Sequence, residues 1–441
     1  MPARTRLPLL AVAVAACLGA QTAAALPATA SDTVVSRGVT IPAFYDPPAG
    51  LPAADGTLVR SEHLPLALRL PGPDGPLPGR ATRLMYKSTD SGGSPVAVTG
   101  AYIEPSAAWK HGGPRPLVAV APGTMGQGDQ CAASRGLERP VSVNGRTLSI
   151  GYENLAIYRM LAKGIAVVVT DYMGLGATDR PHTYVNRVDG GHAVLDAVRA
   201  ARNLPGTSLT AASPVGLYGY SEGGGATAAA AELQPSYAPD VTLAGTYSGA
   251  PPADLTAVTK AIDGSDLAGA LGWAVNGFLQ AAPALRPIAD KRLNAAGKAA
   301  LADLSTMCVA DAILHYNSVR STAWTADGSS LGDVVEDEPA LRDFLDRQRI
   351  GRTKPASPVR VATGVSDDLV PHAQARRLAV DWCHKGADVT YVPVLVPPLG
   401  RSLLNHVTPL IADQGNAIGW LTDRLSGRPA RSTCWSLPLR P

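Results

Sequence analysis

Aromatic side chains are scarce, at 5% of the 441 residues with only 3 Phe. That excludes an interior built on stacked rings, so Val, Leu, Ile and Ala must fill the core of a chain that is 46% hydrophobic. An excess of one charge is lacking too. The formal net charge is +3, and the Lys and Arg residues are scattered, which excludes the basic footprint of a nucleic-acid partner. There are 5 Cys and no CxxC spacing, so a zinc site is not expected. Long apolar runs are missing beyond the N-terminus, since the stretch 267–282 is broken by Gly269, Gly272 and Gly277. A chain of this length can bury a large core, and α/β folds often run this long as one unit.

What is present begins with an export pattern over residues 1–30. Arg4 and Arg6 precede an apolar run at 7–20, followed by Ala-rich sequence, the order of a signal peptide. Val14-Ala15-Ala16-Cys17 has the form of a bacterial lipobox, which would put a lipid anchor on Cys17; the other reading leaves Cys17 in a discarded signal. Without Cys17, four cysteines remain: Cys131, Cys308, Cys383 and Cys434. An even count in an exported chain suggests two disulfides, with three pairings open. A secreted location is the expectation.

A Pro/Gly-rich lead-in, within 31–80, is expected to wrap the core surface. Runs at 82–87 and 96–103 flank the turn-rich Ser88-Thr89-Asp90-Ser91-Gly92-Gly93 and read as an antiparallel hairpin. Short apolar strands follow at 117–121, 165–171, 214–220, 241–247, 359–363 and 389–394, alternating with helical patterns at 153–162, 192–203, 222–233 and 373–383. Apolar strands alternating with helices imply a mostly parallel sheet covered on both faces, an α/β fold. The alternation stops over 251–351, which is helical and reads as an inserted cap. The core is then 81–250 with 352–441.

Gly219-Tyr220-Ser221-Glu222-Gly223 matches GxSxG, a weak signal alone in a chain with 45 Gly. Its context strengthens it, because a strand ends at Gly219 and a helix of small residues begins at Glu222. A sharp strand-to-helix turn lifts the Ser221 hydroxyl above the sheet, beside helix N–H groups that favour negative charge. Ser221 is therefore the candidate nucleophile. Its base should lie on a loop after a later strand. His384 sits within a helix and His315 within the cap, while His372 directly follows the acid loop. His406 follows the last strand and the loop Pro397-Pro398-Leu399-Gly400, and fits. The orienting acid falls in Val365-Ser366-Asp367-Asp368-Leu369-Val370-Pro371, where spacing leaves Asp367 and Asp368 even. One oxyanion donor is the backbone N–H of Glu222. The second is expected from the Gly-rich loop 122–131, whose three Gly allow close approach.

Together these segments resemble the secretory lipase family, the lipase A type of the α/β-hydrolase fold. The likeness rests on the loop ending Asp129-Gln130-Cys131, on Asp171-Tyr172-Met173-Gly174-Leu175-Gly176, on Gly-Tyr-Ser-Glu-Gly, on Asp367-Asp368-Leu369-Val370-Pro371 and on Asn405-His406. The resemblance implies that Asp367, the first Asp of Asp-x-x-Val-Pro, is the catalytic acid. It implies that Asp129 serves the oxyanion hole, and that Cys131 pairs with Cys308 and Cys383 with Cys434. It implies a carboxylic ester hydrolase, without metal or organic cofactor, acting on lipid-like esters with transient contact to a lipid surface. An acyltransferase or peptidase could use the same groups, and a silent binding protein could keep the pocket.

Overall fold

Nine strands form one sheet in the order β13-β12-β11-β10-β6-β9-β5-β4-β3. The computed structural model describes residues 33–72, 75–144, 147–178, 180–400 and 403–441; the expected signal and Cys17 lie outside them. The strands are β1 (Thr33–Ser36), β2 (Val39–Pro42), β3 (Leu58–Leu64), β4 (Gly79–Thr89), β5 (Pro95–Pro105), β6 (Leu117–Ala121), β7 (Val141–Asn144), β8 (Thr147–Ile150), β9 (Ala166–Met173), β10 (Val215–Tyr220), β11 (Leu243–Gly249), β12 (Val359–Gly364) and β13 (Val389–Val394). From β13 to β9 every pairing is parallel, and β5, β4 and β3 add antiparallel strands at one edge.

The central strands are apolar throughout because both faces are covered. Every residue of β9, Ala-Val-Val-Val-Thr-Asp-Tyr-Met, is buried. On one face lie α2 (Asn154–Leu161) and α13 (Leu403–Leu425), contributing Ile157, Met160, Ile418 and Leu421. On the other lie α3 (Arg187–Arg202) and α4 (Glu222–Tyr237), contributing Val194, Leu195, Val198 and Ala230. The α3 N-terminus is fixed by Asn186, whose side chain accepts from the N–H groups of Val188 and Asp189. Two pieces of the lead-in do not merely wrap the surface. Residues 33–42 form the β1–β2 hairpin, and β3 is the edge strand of the main sheet. Its Leu-Val-Arg-Ser-Glu-His-Leu sequence lacks an apolar alternation, as suits an edge, and Glu62 pairs with Arg83 across the ladder. A second hairpin, β7–β8, follows α1 (Ala133–Glu138).

Seven helices separate β11 from β12: α5 (Leu255–Ile262), α6 (Ala270–Ala281), α7 (Arg286–Arg292), α8 (Ala295–Leu304), α9 (Val309–Tyr316), α10 (Leu331–Asp337) and α11 (Pro339–Gln348). All but α11 share a cluster built on Leu271, Trp273, Leu301 and Leu304, into which Tyr184, Leu369 and Val370 enter from loops at strand ends, while α11 packs Phe344 and Leu345 against Leu255 and Leu285. Fully buried side chains such as Leu304 each contribute about 1.5–3 kcal/mol. This helical layer is thus fixed over the C-terminal ends of the parallel strands. Both disulfides join the pairs Cys131–Cys308 and Cys383–Cys434. The first ties the Gly-rich loop to the N-terminus of α9, and the second ties α12 (His372–His384) to the C-terminal segment.

Candidate active site

The turn between β10 and α4 holds Ser221 at φ 60° and ψ −124°, a conformation that a residue with a side chain adopts only under constraint. The constraints are visible. The Ser221 N–H donates to the Gly249 carbonyl at 2.9 Å, and the Ser221 carbonyl accepts from Gly225 N–H at 3.0 Å. The turn also needs bare backbone around it. A Cβ on Gly223 would lie 2.0 Å from the Ala121 carbonyl oxygen, and one on Gly224 would lie 2.0 Å from that of Gly249. The neighbouring strands β6 and β11 therefore dictate glycine at positions 223 and 224.

Three of the expected residues meet at this turn. His406, in the first turn of α13, brings Nε2 to 2.9 Å from Ser221 Oγ. Its Nδ1 lies 2.7 Å from Asp367 Oδ2. Asp367 Oδ1 is already occupied, accepting from the N–H groups of Leu369 and Val370 at 3.1 and 3.0 Å. The free oxygen of this turn thus meets the imidazole. An acceptor at Nδ1 keeps the proton there and leaves the Nε2 lone pair facing the hydroxyl. Asp367 and His406 are both buried. Tyr220 further seats the histidine, donating its hydroxyl to the His406 carbonyl at 2.7 Å. Asp368 faces Asn405 instead, at 3.4 Å.

The Gly-rich loop reaches the same turn, but not through Asp129. A Cβ on Gly123 would stand 3.2 Å from the Tyr220 carbonyl. Gly123 N–H donates to Glu153 Oε1 at 2.7 Å, and the Tyr152 hydroxyl donates to the Thr124 carbonyl at 2.8 Å. Thr124 Oγ1 lies 2.8 Å from the Tyr184 hydroxyl. Burial pushes the Glu153 carboxyl up from 4.5 to about 7, although the Gly123 N–H opposes the shift. Asp129 is buried farther along the loop. Its side chain pairs with Arg37 at 3.2 Å and accepts from Ser36 Oγ, so the carboxylate binds the β1–β2 hairpin. The local sequence could not reveal this, because the partners lie more than 90 residues earlier.

Glu222 places its backbone N–H in the first turn of α4, where helix N–H groups lack carbonyl partners within the helix. Its side chain is buried and meets His182 Nε2 at 2.8 Å. Burial raises its carboxyl above the usual range, with His182 opposing. Glu153, Tyr152, Tyr184 and His182 carry no motif, so the sequence reading passed over all four.

A cleft of about 40 Å³ opens between Ser221 and His406 on one side and Leu255, Val258, Ile262 and Leu267 on the other. A second cavity of about 90 Å³ lies among α6, α7, α10 and α11. The two share Thr259, Leu271, Ala274 and Phe278 as walls. Apart from Thr259 those shared walls are apolar.

A mostly parallel sheet with a sharp strand-to-helix serine turn of this kind and helices on both faces defines the α/β-hydrolase fold. Solved structures agree in fold: Candida antarctica lipase A in its closed state superposes with a TM-score of 0.73 at 20% identity, covering 88% of this chain and 87% of that one. The rice cell wall degrading esterase LipA from Xanthomonas oryzae gives 0.67 at 20% identity, over 86% and 100%. The family model for secretory lipase matches residues 137–433. A probable inactive lipase of Mycobacterium tuberculosis is 32% identical over 396 residues, 88% of this chain and 82% of the relative. A secreted triacylglycerol lipase of Malassezia restricta is 26% identical over 400 residues, 88% and 79%. This chain belongs to the secretory lipase family.

Proposed function

We propose that the chain is an exported serine hydrolase that cleaves carboxylic esters of lipid type. The observation that carries this reading is the unbroken hydrogen-bonded line from Ser221 Oγ through His406 to Asp367, at the mouth of an apolar cleft. His406 Nε2 takes the Ser221 proton as Oγ attacks the ester carbonyl, and the Asp367 carboxylate stabilises the imidazolium. The Glu222 N–H and the loop at Gly123–Thr124 face the developing oxyanion. His406 then protonates the leaving alcohol, and water repeats the cycle to free the acid. Residues 251–351 act as a cap, and the cleft beneath it with the cavity inside it suits an acyl chain because little polar surface interrupts them. Membership of a secretory family and the two disulfides fit an extracellular site of action.

The relative from Mycobacterium tuberculosis bears the name of a probable inactive lipase, so a silent binding protein is the competing reading. Turnover decides. Purified chain is expected to hydrolyse p-nitrophenyl esters, and Ser221→Ala to lose at least about 10⁴-fold in kcat with its fold intact. Equal rates for the two proteins would remove Ser221 from the reaction.

A further inference from the structure

The Glu222 side chain is placed where a helix-opening carboxylate would ordinarily reach water, yet it is turned inward. Its partner is His182, on the loop between β9 and α3. His182 Nδ1 stands 2.9 Å from the Met173 carbonyl, which can only accept, so Nδ1 carries a proton. Nε2 stands 2.8 Å from Glu222 Oε1. Two bare acceptors, or two donors, would repel at that distance. The pair therefore holds a single proton between Oε1 and Nε2 and is neutral as a whole. The Val185 backbone lies beside the same carboxyl, and both line one small cavity with His182.

Val185 sits at φ 54°, a strained value for a β-branched residue. It is one of six non-glycine residues with positive φ among the described residues, and four of these, Tyr172, Val185, Ser221 and Ala250, adjoin the nucleophile turn. Tyr172 stacks on the His182 ring at 5.6 Å and donates its hydroxyl to the Pro122 carbonyl at 2.7 Å. Tyr184 meets the ring edge to face at 6.0 Å and reaches Thr124. The His182 carbonyl accepts from Gln127 Nε2 at 2.9 Å. One segment, Met173 to Val185, thus touches both the turn that carries Ser221 and the loop that faces it, and the Glu222 carboxyl is its tie to the turn.

We propose that the Glu222 side chain is a positioning group: by sharing one proton with His182, it fixes the nucleophile turn against the Gly123–Thr124 loop. This rests on the ester-hydrolase reading above. It assigns the side chain a task separate from that of the backbone N–H. Losing it lets the two halves of the oxyanion site drift apart, which weakens transition-state binding more than substrate binding.

The test compares Glu222→Ala, Glu222→Gln and His182→Phe with the wild type on a short-chain p-nitrophenyl ester, with Tm measured for each. Glu222→Ala is expected to lower kcat by about 10–100-fold, less than full loss of an oxyanion donor, with KM changed by less than about 3-fold. Gln donates an amide N–H to Nε2, so Glu222→Gln should recover most of the loss. His182→Phe keeps the ring stack and removes the proton partner, so its kcat should fall to a level near that of Glu222→Ala. Wild-type kcat in folded Glu222→Ala, a rise in KM alone, or no recovery in folded Glu222→Gln would overturn the proposal. If Glu222→Ala does not fold, His182→Phe decides: reduced kcat supports the brace and unchanged kcat overturns it. Ser221→Ala separates the two levels. Wild-type turnover in that variant removes the hydrolase reading, whereas an inert Ser221→Ala beside a fully active Glu222→Ala removes only the brace.

Discussion

The two sides of the site are held by different means. On the proposed triad side, Ser221 and Asp367 stand just beyond β10 and β12 of one parallel sheet, His406 opens α13 after β13, and the further ties are local to these turns. On the other side, the loop after β6 is cross-braced from distant parts of the chain. Glu153 and Tyr152 hold Gly123 and Thr124, Gln127 reaches the Trp273 carbonyl in α6, Asp129 binds the N-terminal hairpin, and Cys131 is joined to Cys308. The difference teaches that Ser221 and His406 can be brought together largely by sheet topology. A glycine-rich loop has no such frame, and its shape depends on side chains supplied from elsewhere.

The sharpest break of this comparison is on the triad side. Asp367→Asn should lower kcat by about 10⁴-fold through loss of the correct imidazole tautomer, while Asp368→Asn should change it by less than about 3-fold. Steady-state kinetics on one ester checks both, and equal effects would dissolve the distinction between the two carboxylates.

On the braced side, replacing both Cys131 and Cys308 by Ala should cost about 2–4 kcal/mol and also reduce kcat, because the bond ends inside the loop. Removing Cys383–Cys434, which lies on α12 and the C-terminal segment, should cost stability alone. Urea unfolding beside kinetics for each pair measures the contrast, and equal loss of kcat from both would contradict it.

Glu153 offers a pH test. Its carboxyl rises from 4.5 to about 7 on folding, so between these values the native state binds more protons than the unfolded chain. Stability therefore falls as pH rises through that window, by about 3 kcal/mol once it is crossed. Glu153→Gln keeps an acceptor for Gly123 N–H and does not titrate. The variant should be more stable than wild type at pH 8, with the advantage vanishing near pH 4. A difference independent of pH in urea titrations would remove this account.

The smallest effect is expected at the hairpin. Arg37→Ala leaves Asp129 without its cation and should cost about 1–2 kcal/mol, with a modest fall in kcat.

The same division explains what could be read beforehand. The parallel strands are continuous apolar runs, and Ser221 sits in a local pattern with its turn on one side and a small-residue helix on the other. His406 and the acid loop follow from chain order. The family likeness leaned to Asp367, and the side chain of that residue is the one that meets His406. Apart from the Cys131–Cys308 pairing that the family likeness implied, the braces were not legible because each joins residues far apart, with no fixed spacing. Ser36 and Asp129 are 93 residues apart, and His182 and Glu222 are 40 apart. The edge strand β3 was equally hidden, since a polar sequence at the rim of a sheet looks like loop.

Mass spectrometry of the chain after reaction with an organophosphonate ester would bear most directly on the whole account. One phosphonyl group on the peptide containing Ser221, accumulating in step with loss of ester hydrolysis, is the predicted result. Ester hydrolysis that persists with Ser221 unmodified under the same treatment would contradict it.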